Sequence, residues 1–247
     1  MPLSIAIVCE APADARTVRA LAERVLMESC DWIEAETLAD HIEWRGFRKS
    51  ETHLEWMGRG GVQDLAKELG IRVRWRLNEP IPQYGHTTLK AIQVLIASPD
   101  PVDGMVLIPD SDNRLERRNG LLQGREHFSH TKVPIIVGLA HTKRECWHIA
   151  GFTPTDKHEE TRLDETRALL EFDPTKLAHK LTGGQGEARC PKRVLAFLTQ
   201  DNWKREMECL QTPFPALEDR GSETGLPEFL AELRTRLTPA FGGSPRQ

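Results

Sequence analysis

No apolar stretch in the chain approaches the length of a membrane span, no basic region precedes an apolar one in its first ten residues, and no two cysteines stand two residues apart. A spanning helix takes about 20 consecutive apolar residues and a signal peptide needs its basic and apolar regions in order, so neither is expected, nor is a membrane anchor. A cytoplasmic protein is the expectation. Cys9, Cys30, Cys146, Cys190 and Cys209 are odd in number and scattered. That argues against a disulfide framework and against a zinc site. The net charge of -4 excludes a globally basic nucleic-acid coat protein, while local basic clusters within an acidic average still bind phosphate. Tyrosine occurs once, at Tyr84. A loop role is expected for it.

What is present is the composition of a globular domain, with 39% apolar and 28% charged residues in 247. That length buries a full core and fits one large α/β domain or one domain with a small satellite. The stretch around which the rest is arranged is Asp103-Gly104-Met105-Val106-Leu107-Ile108-Pro109-Asp110-Ser111-Asp112-Asn113. Four successive apolar residues bounded by Gly104 and Pro109 read as a short strand buried on both faces, as in parallel sheets. Asp110 and Asp112 then stand at its carboxyl end, where open α/β sheets place their ligands. Two anions this close repel by roughly 1 kcal/mol in water, and by more as the site dries, unless a cation sits between them. A hard divalent metal resolves the repulsion naturally.

In chain order, Ser4 to Glu10 is an apolar run ending in an acid, and Pro12 with Asp14 opens a helix. That helix puts Val18, Leu21, Ala22, Val25 and Leu26 on one face. Residues 30–60 carry Trp32, Trp44 and Trp56 and a small echo, His41-Ile42-Glu43-Trp44-Arg45-Gly46 against His53-Leu54-Glu55-Trp56-Met57-Gly58. They read as an insertion that packs its tryptophans on the main domain, with a binding surface as the lesser reading. A helix is expected from Val62 to Leu69. Ile71 to Leu77 alternates apolar residues with Arg72, Arg74 and Arg76 as a half-exposed strand does, either a solvated edge or a phosphate-tracking stripe. Pro80 to Gly85 is a loop, His86 to Ala97 and Arg117 to Phe128 are helices, and Val133 to Ala140 is a further buried strand.

Strands and helices alternate at the spacing of crossover units, which makes the fold class α/β: a mostly parallel sheet with helices on both faces. Beyond residue 150 the texture shifts to helices at Glu159–Phe172, Pro191–Leu198 and Leu226–Leu237, a helical C-terminal cap with a loose tail from Phe241 to Gln247. Within it Gly183-Gly184-Gln185-Gly186 runs into a helix carrying Lys192 and Arg193 near its start. Such a loop receives phosphate on backbone amides, or is an ordinary connection. It lacks the Gly-Lys-Ser/Thr ending of a nucleotide-triphosphatase P-loop.

Three strand-like runs end in polar groups that meet if the sheet is parallel: Glu10, the Asp110/Asp112 pair, and His141 through Glu145. These residues resemble the Toprim domain shared by topoisomerases, primases and a group of bacterial nucleases. Val8-Cys9-Glu10-Ala11-Pro12-Ala13-Asp14 matches its first motif at the Glu, the Pro and the Asp, and Ile108-Pro109-Asp110-Ser111-Asp112 matches its Asp-x-Asp strand end. Ala11 departs from the glycine the family generally has there. Ala140-His141-Thr142-Lys143-Arg144-Glu145-Cys146-Trp147 is similar, more loosely, to a segment of small standalone Toprim-like proteins from bacterial defence loci.

The resemblance covers about residues 4–150 and implies a Toprim-like catalytic domain at 1–150, with 151–247 as a helical extension packed on it. It implies Glu10, Asp110, Asp112 and Glu145 as catalytic residues and ligands of Mg2+ or Mn2+. It assigns His141, Lys143 and Arg144 to substrate phosphates, to which the glycine-rich stretch adds Lys192 and Arg193. The function implied is a metal-dependent nuclease cutting DNA or RNA, in the setting of anti-phage defence. Two alternatives stand beside it: a non-catalytic or partner-regulated module of an ATPase-containing complex, and a phosphohydrolase of small phosphate esters.

Overall fold

In the computed structural model, which describes residues 1–73 and 84–243, the sheet is built on β1 (Leu3–Cys9), whose last six residues are buried. The chain leaves β1 through Glu10 into α1 (Pro12–Ser29), where Pro12 lies in the first turn and the Asp14 carboxylate accepts the Ala11 backbone N–H at 2.8 Å. Proline costs nothing there, because the first N–H groups of a helix have no partner within it. Next come α2 (Leu38–His41), β2 (Ile42–Arg45), β3 (Leu54–Glu55) and α3 (Val62–Glu68). After the segment outside the described residues follow α4 (Gly85–Ile96), β4 (Gly104–Leu107), α5 (Arg117–Glu126) and β5 (Ile135–Val137). The remainder is helical: α6 (Glu145–Gly151), α7 (Lys157–Leu170), α8 (Pro191–Thr199), α9 (Trp203–Cys209), α10 (Phe214–Arg220) and α11 (Leu226–Glu232).

Among the described residues the sheet has five strands, every pairing is parallel, and the order is β2-β1-β4-β5 with β3 also on β1. The fold is therefore α/β, as the alternation of runs indicates. One face of the sheet, carrying Ala6, Val8, Met105, Leu107, Ile135 and Val137, packs into a core with Leu65 of α3, Leu89 and Ile92 of α4 and Leu121 of α5. Strand residues alternate between faces. Ile5, Ile7, Val106 and Ile136 thus turn to the other face, where they are equally buried and where α1 and the segment Leu233–Leu237 pack against the strands.

Residues 30–60 contribute two short strands to the sheet. The first copy of the echo forms β2, with Ile42 to Arg45 opposite Leu3 to Ala6, and the second forms β3, with Leu54 and Glu55 opposite Val8 and Cys9. Trp56 is buried and its Nε1 donates to the Ile108 carbonyl at 3.2 Å, Trp44 is half-buried, and Trp32 is exposed. The alternating arginine stretch is described only for Ile71 to Val73, which form no strand. Its remainder, with Arg74 and Arg76, lies outside the described residues, as do Pro80 to Gln83 of the expected loop and the last four residues of the tail. Phe241, placed in a loose tail by the sequence, is buried in the short helical turn Thr238–Phe241.

Two compact units separate, the first drawn from residues 1–109, 114–139 and 229–247, the second from 110–113 and 140–228. The second unit is helical and is centred on α6, all seven of whose residues are buried. Its core joins Cys146 and Ile149 to Leu163 and Leu170 of α7, Val194, Leu195 and Leu198 of α8, and Cys209 of α9. α7 is capped by Asp156, whose carboxylate accepts the Glu159 N–H at 2.8 Å.

Candidate functional site: an aspartate pair bridged by a lysine

The second unit contains Asp110 to Asn113 alongside the segment from Ala140, and the two run parallel. Asp110 bridges to Ala140, the Ser111 N–H donates to the Ala140 carbonyl at 2.9 Å, and the Asp112 N–H donates to that of Thr142 at 3.2 Å. Asp112 and Asn113 both take positive φ, 46° and 63°. Asp and Asn tolerate this left-handed conformation better than most side chains, because a short polar group can bond locally. The backbone turns there, and the Asn113 amide donates to the Thr182 carbonyl at 3.3 Å.

This pairing sets Lys143 opposite the two carboxylates. Its Nζ lies 2.7 Å from Asp112 Oδ1 and 3.4 Å from Asp110 Oδ2. Burial alone would lower the lysine pKa, but the hydrogen bond to Asp112 and the charges of both aspartates raise it above the ordinary value, so the ammonium stays charged. The other oxygen of Asp110, Oδ1, accepts the Arg144 backbone N–H at 2.9 Å. Repulsion within the Asp-x-Asp sequence is therefore relieved by a cation of the chain itself.

Arg144 and Glu145 face another way. The Arg144 side chain is 9% exposed and its guanidinium donates to Glu145 Oε1 at 3.1 Å and to His148 Nε2 at 3.0 Å, with Glu206 Oε2 at 4.0 Å. His148 is fully buried, and desolvation reinforced by the Arg144 charge holds its pKa down to about 3. The imidazole is thus neutral at pH 7. Its Nε2 accepts from Arg144, and its Nδ1 carries the proton and donates to the Glu206 carbonyl at 2.9 Å. His141 is half-buried and shares a 2.8 Å hydrogen bond between its Nδ1 and the hydroxyl of buried Ser111. Burial first, then the neighbouring His179, lower its pKa.

Of the residues singled out in the sequence, the second unit gathers Asp110, Asp112, His141 and Lys143 on adjoining turns, with Arg144 joining through its backbone N–H. The Glu145 carboxylate is buried and turned to the Arg144 guanidinium. Lys192 and Arg193 are exposed on the first turn of α8, and the Arg193 guanidinium donates to the Gly186 carbonyl at 2.9 Å, closing the glycine-rich loop onto the helix. Glu10 belongs to the first unit, exposed directly after β1. His148 and Glu206 carry no motif in the sequence, and Ser111 is the unspecified middle residue of Asp-x-Asp. The spacing of Arg144 and His148, four apart on one helical face, was the one legible signal among them.

A metal fits part of this arrangement. Asp110 Oδ2 and Asp112 Oδ1 are hard oxygen donors aimed at one positive charge, the donor chemistry of a magnesium ion held by one or two carboxylates with water and phosphate completing its shell. Among the described residues no group of three or more His, Cys, Asp or Glu side chains gathers as a metal site. The fit is to a water-rich two-carboxylate site, not to a closed protein cage.

Comparison with known proteins returns no matching family model, no matching curated protein and no matching solved structure.

Proposed function

We propose that the protein is a metal-dependent phosphodiesterase acting on DNA or RNA, with Asp110 and Asp112 as its magnesium-binding pair. The observation that carries this reading is the cluster of two convergent carboxylates and one ammonium, with Asp112 exposed and Lys143 partly so, in the residues that follow β4 in the chain. A magnesium ion, when bound, supplies a more acidic water and neutralises charge on the phosphate. The remaining work falls to the chain. Asp110 is oriented by the Arg144 N–H on its Oδ1, so its Oδ2 keeps one direction. Lys143 and His141 lie within the same cluster and would contact non-bridging phosphate oxygens, lowering the cost of the charge that develops as the phosphorus is attacked. Arg144 acts through its backbone and its buried anchor. Glu10 as a ligand or proton acceptor, and anti-phage defence as the setting, are carried by the Toprim resemblance alone.

The test is cleavage of supercoiled plasmid, single-stranded DNA and transfer RNA with Mg2+ or Mn2+, with a small phosphate ester as a further arm. Wild type should cut at least one nucleic acid, and Asp112→Asn should lower the rate by at least about a hundredfold, as removal of a preorganised electrostatic group does. Unchanged cleavage by Asp112→Asn sinks the proposal, and Glu10→Gln in the same assay tests that residue separately.

One observation favours a second reading. Lys143 already neutralises part of the pair, which suits a non-catalytic module regulated by a partner such as an ATPase. A thermal shift with magnesium that vanishes in Asp112→Asn, with no cleavage of any substrate, would support that view.

A further inference from the structure

We propose that Lys143 is a resident counter-ion: its ammonium occupies the cation position between Asp110 and Asp112 in the free protein, and a divalent ion enters by displacing it. This rests on the metal-dependent reading above and adds how metal entry is controlled.

The two cations compete for the same atoms, Asp110 Oδ2 and Asp112 Oδ1. The lysine is held loosely enough to leave. Its side chain is 29% exposed and that of Asp112, its nearer partner, 43%, and an ion pair so open to water is weak; Asp110, 12% exposed, is the farther partner at 3.4 Å. The carboxylates, in contrast, are placed by backbone. Asp110 keeps its bond from the Arg144 N–H, and Ser111 and Asp112 keep theirs to Ala140 and Thr142, whatever the lysine side chain does. Arg144 itself is held by Glu145 and His148, so the flexible Lys143 stem can rotate away without moving it. Charge favours the exchange, because a divalent ion brings one more positive charge to Asp110 Oδ2 and Asp112 Oδ1 than the ammonium it replaces.

The test is Mn2+ binding to the full-length protein, read by the loss of the free-ion paramagnetic resonance signal and by calorimetry, for wild type, Lys143→Met, Lys143→Gln, Lys143→Arg and Asp112→Asn. Met keeps the apolar stem and Gln keeps polarity, so one of the two should preserve the fold, checked by melting. The charge-removing variants should bind Mn2+ about tenfold tighter than wild type, Lys143→Arg should match wild type, and Asp112→Asn should lose the site. Equal affinity in wild type and the charge-removing variants overturns the counter-ion role while leaving metal binding intact. Equally tight binding by Lys143→Arg overturns it too, because charge is the determinant. No binding by any variant at millimolar Mn2+ overturns the metal-dependent reading as well.

Discussion

Lys143 and Arg144 are neighbours in sequence and opposites in environment. The lysine lies at the surface of its ion pair, whereas the arginine is enclosed with two carboxylates and a neutral imidazole. Exposed pairs contribute about 0 to 1 kcal/mol. Removing one partner of a buried network leaves uncompensated charge and costs about 3 to 5 kcal/mol. Arg144→Met should therefore lower unfolding free energy by about 3 kcal/mol in urea titrations, and Lys143→Met by less than about 1 kcal/mol. Similar losses for both variants would contradict this division. The sequence presents two adjacent cations after a strand and offers both to phosphate. Which one faces water depends on where α6 begins and on His148 four residues later, neither of which the cations themselves record.

The echo between residues 41–46 and 53–58 shows how a pattern can be visible in sequence without revealing the strand it forms. Each copy is too short to be recognised as a strand, yet both lie on β1, one against its first half and the other against its second. The copies abut so closely that a Cβ at Gly46 would overlap the His53 carbonyl, which is why glycine closes the first one. Trp56 then covers the sheet beyond the second copy and satisfies the Ile108 carbonyl. Trp56→Ala should cost about 3 to 5 kcal/mol, and Trp56→Phe, which keeps most of the apolar volume but leaves that carbonyl without its donor, about 1 to 3 kcal/mol. Thermal or urea unfolding measures both, and an exposed-tryptophan cost below about 0.5 kcal/mol would contradict the buried position. The long apolar runs behaved differently. β1, β4 and β5 are buried on both faces, and a strand of that kind announces itself by continuous hydrophobicity.

For the molecule as a whole, the buried groups of the second unit set its response to acid. His148 has a folded pKa near 3 against an ordinary 6.5, so below pH 6.5 the unfolded chain takes up a proton that the folded one refuses. Stability from this group is full above 6.5 and falls by about 1.4 kcal/mol per pH unit on the way down. Glu159 is held at about 2 by its hydrogen bonds from Arg205, against an ordinary 4.5, and its contribution is lost only between those two values. Urea unfolding should thus show a loss of about 2 kcal/mol between about pH 6.5 and pH 5 from His148, and His148→Gln should shrink the slope by that amount. A wild-type profile flat over that interval would contradict a neutral buried imidazole. The class of the fold, the buried strands and the helices that follow them were legible in the amino-acid order, because hydrophobic periodicity and turn residues act over a few neighbours. The Asp-x-Asp pair was legible for the same reason. Its counter-ion was not, nor the membership of β2 and β3 in the sheet, nor the inward turn of Glu145. The first two depend on which groups residues 30 or more positions apart present to one another, the third on the burial of α6 in its own unit, and all are settled when the chain closes on itself.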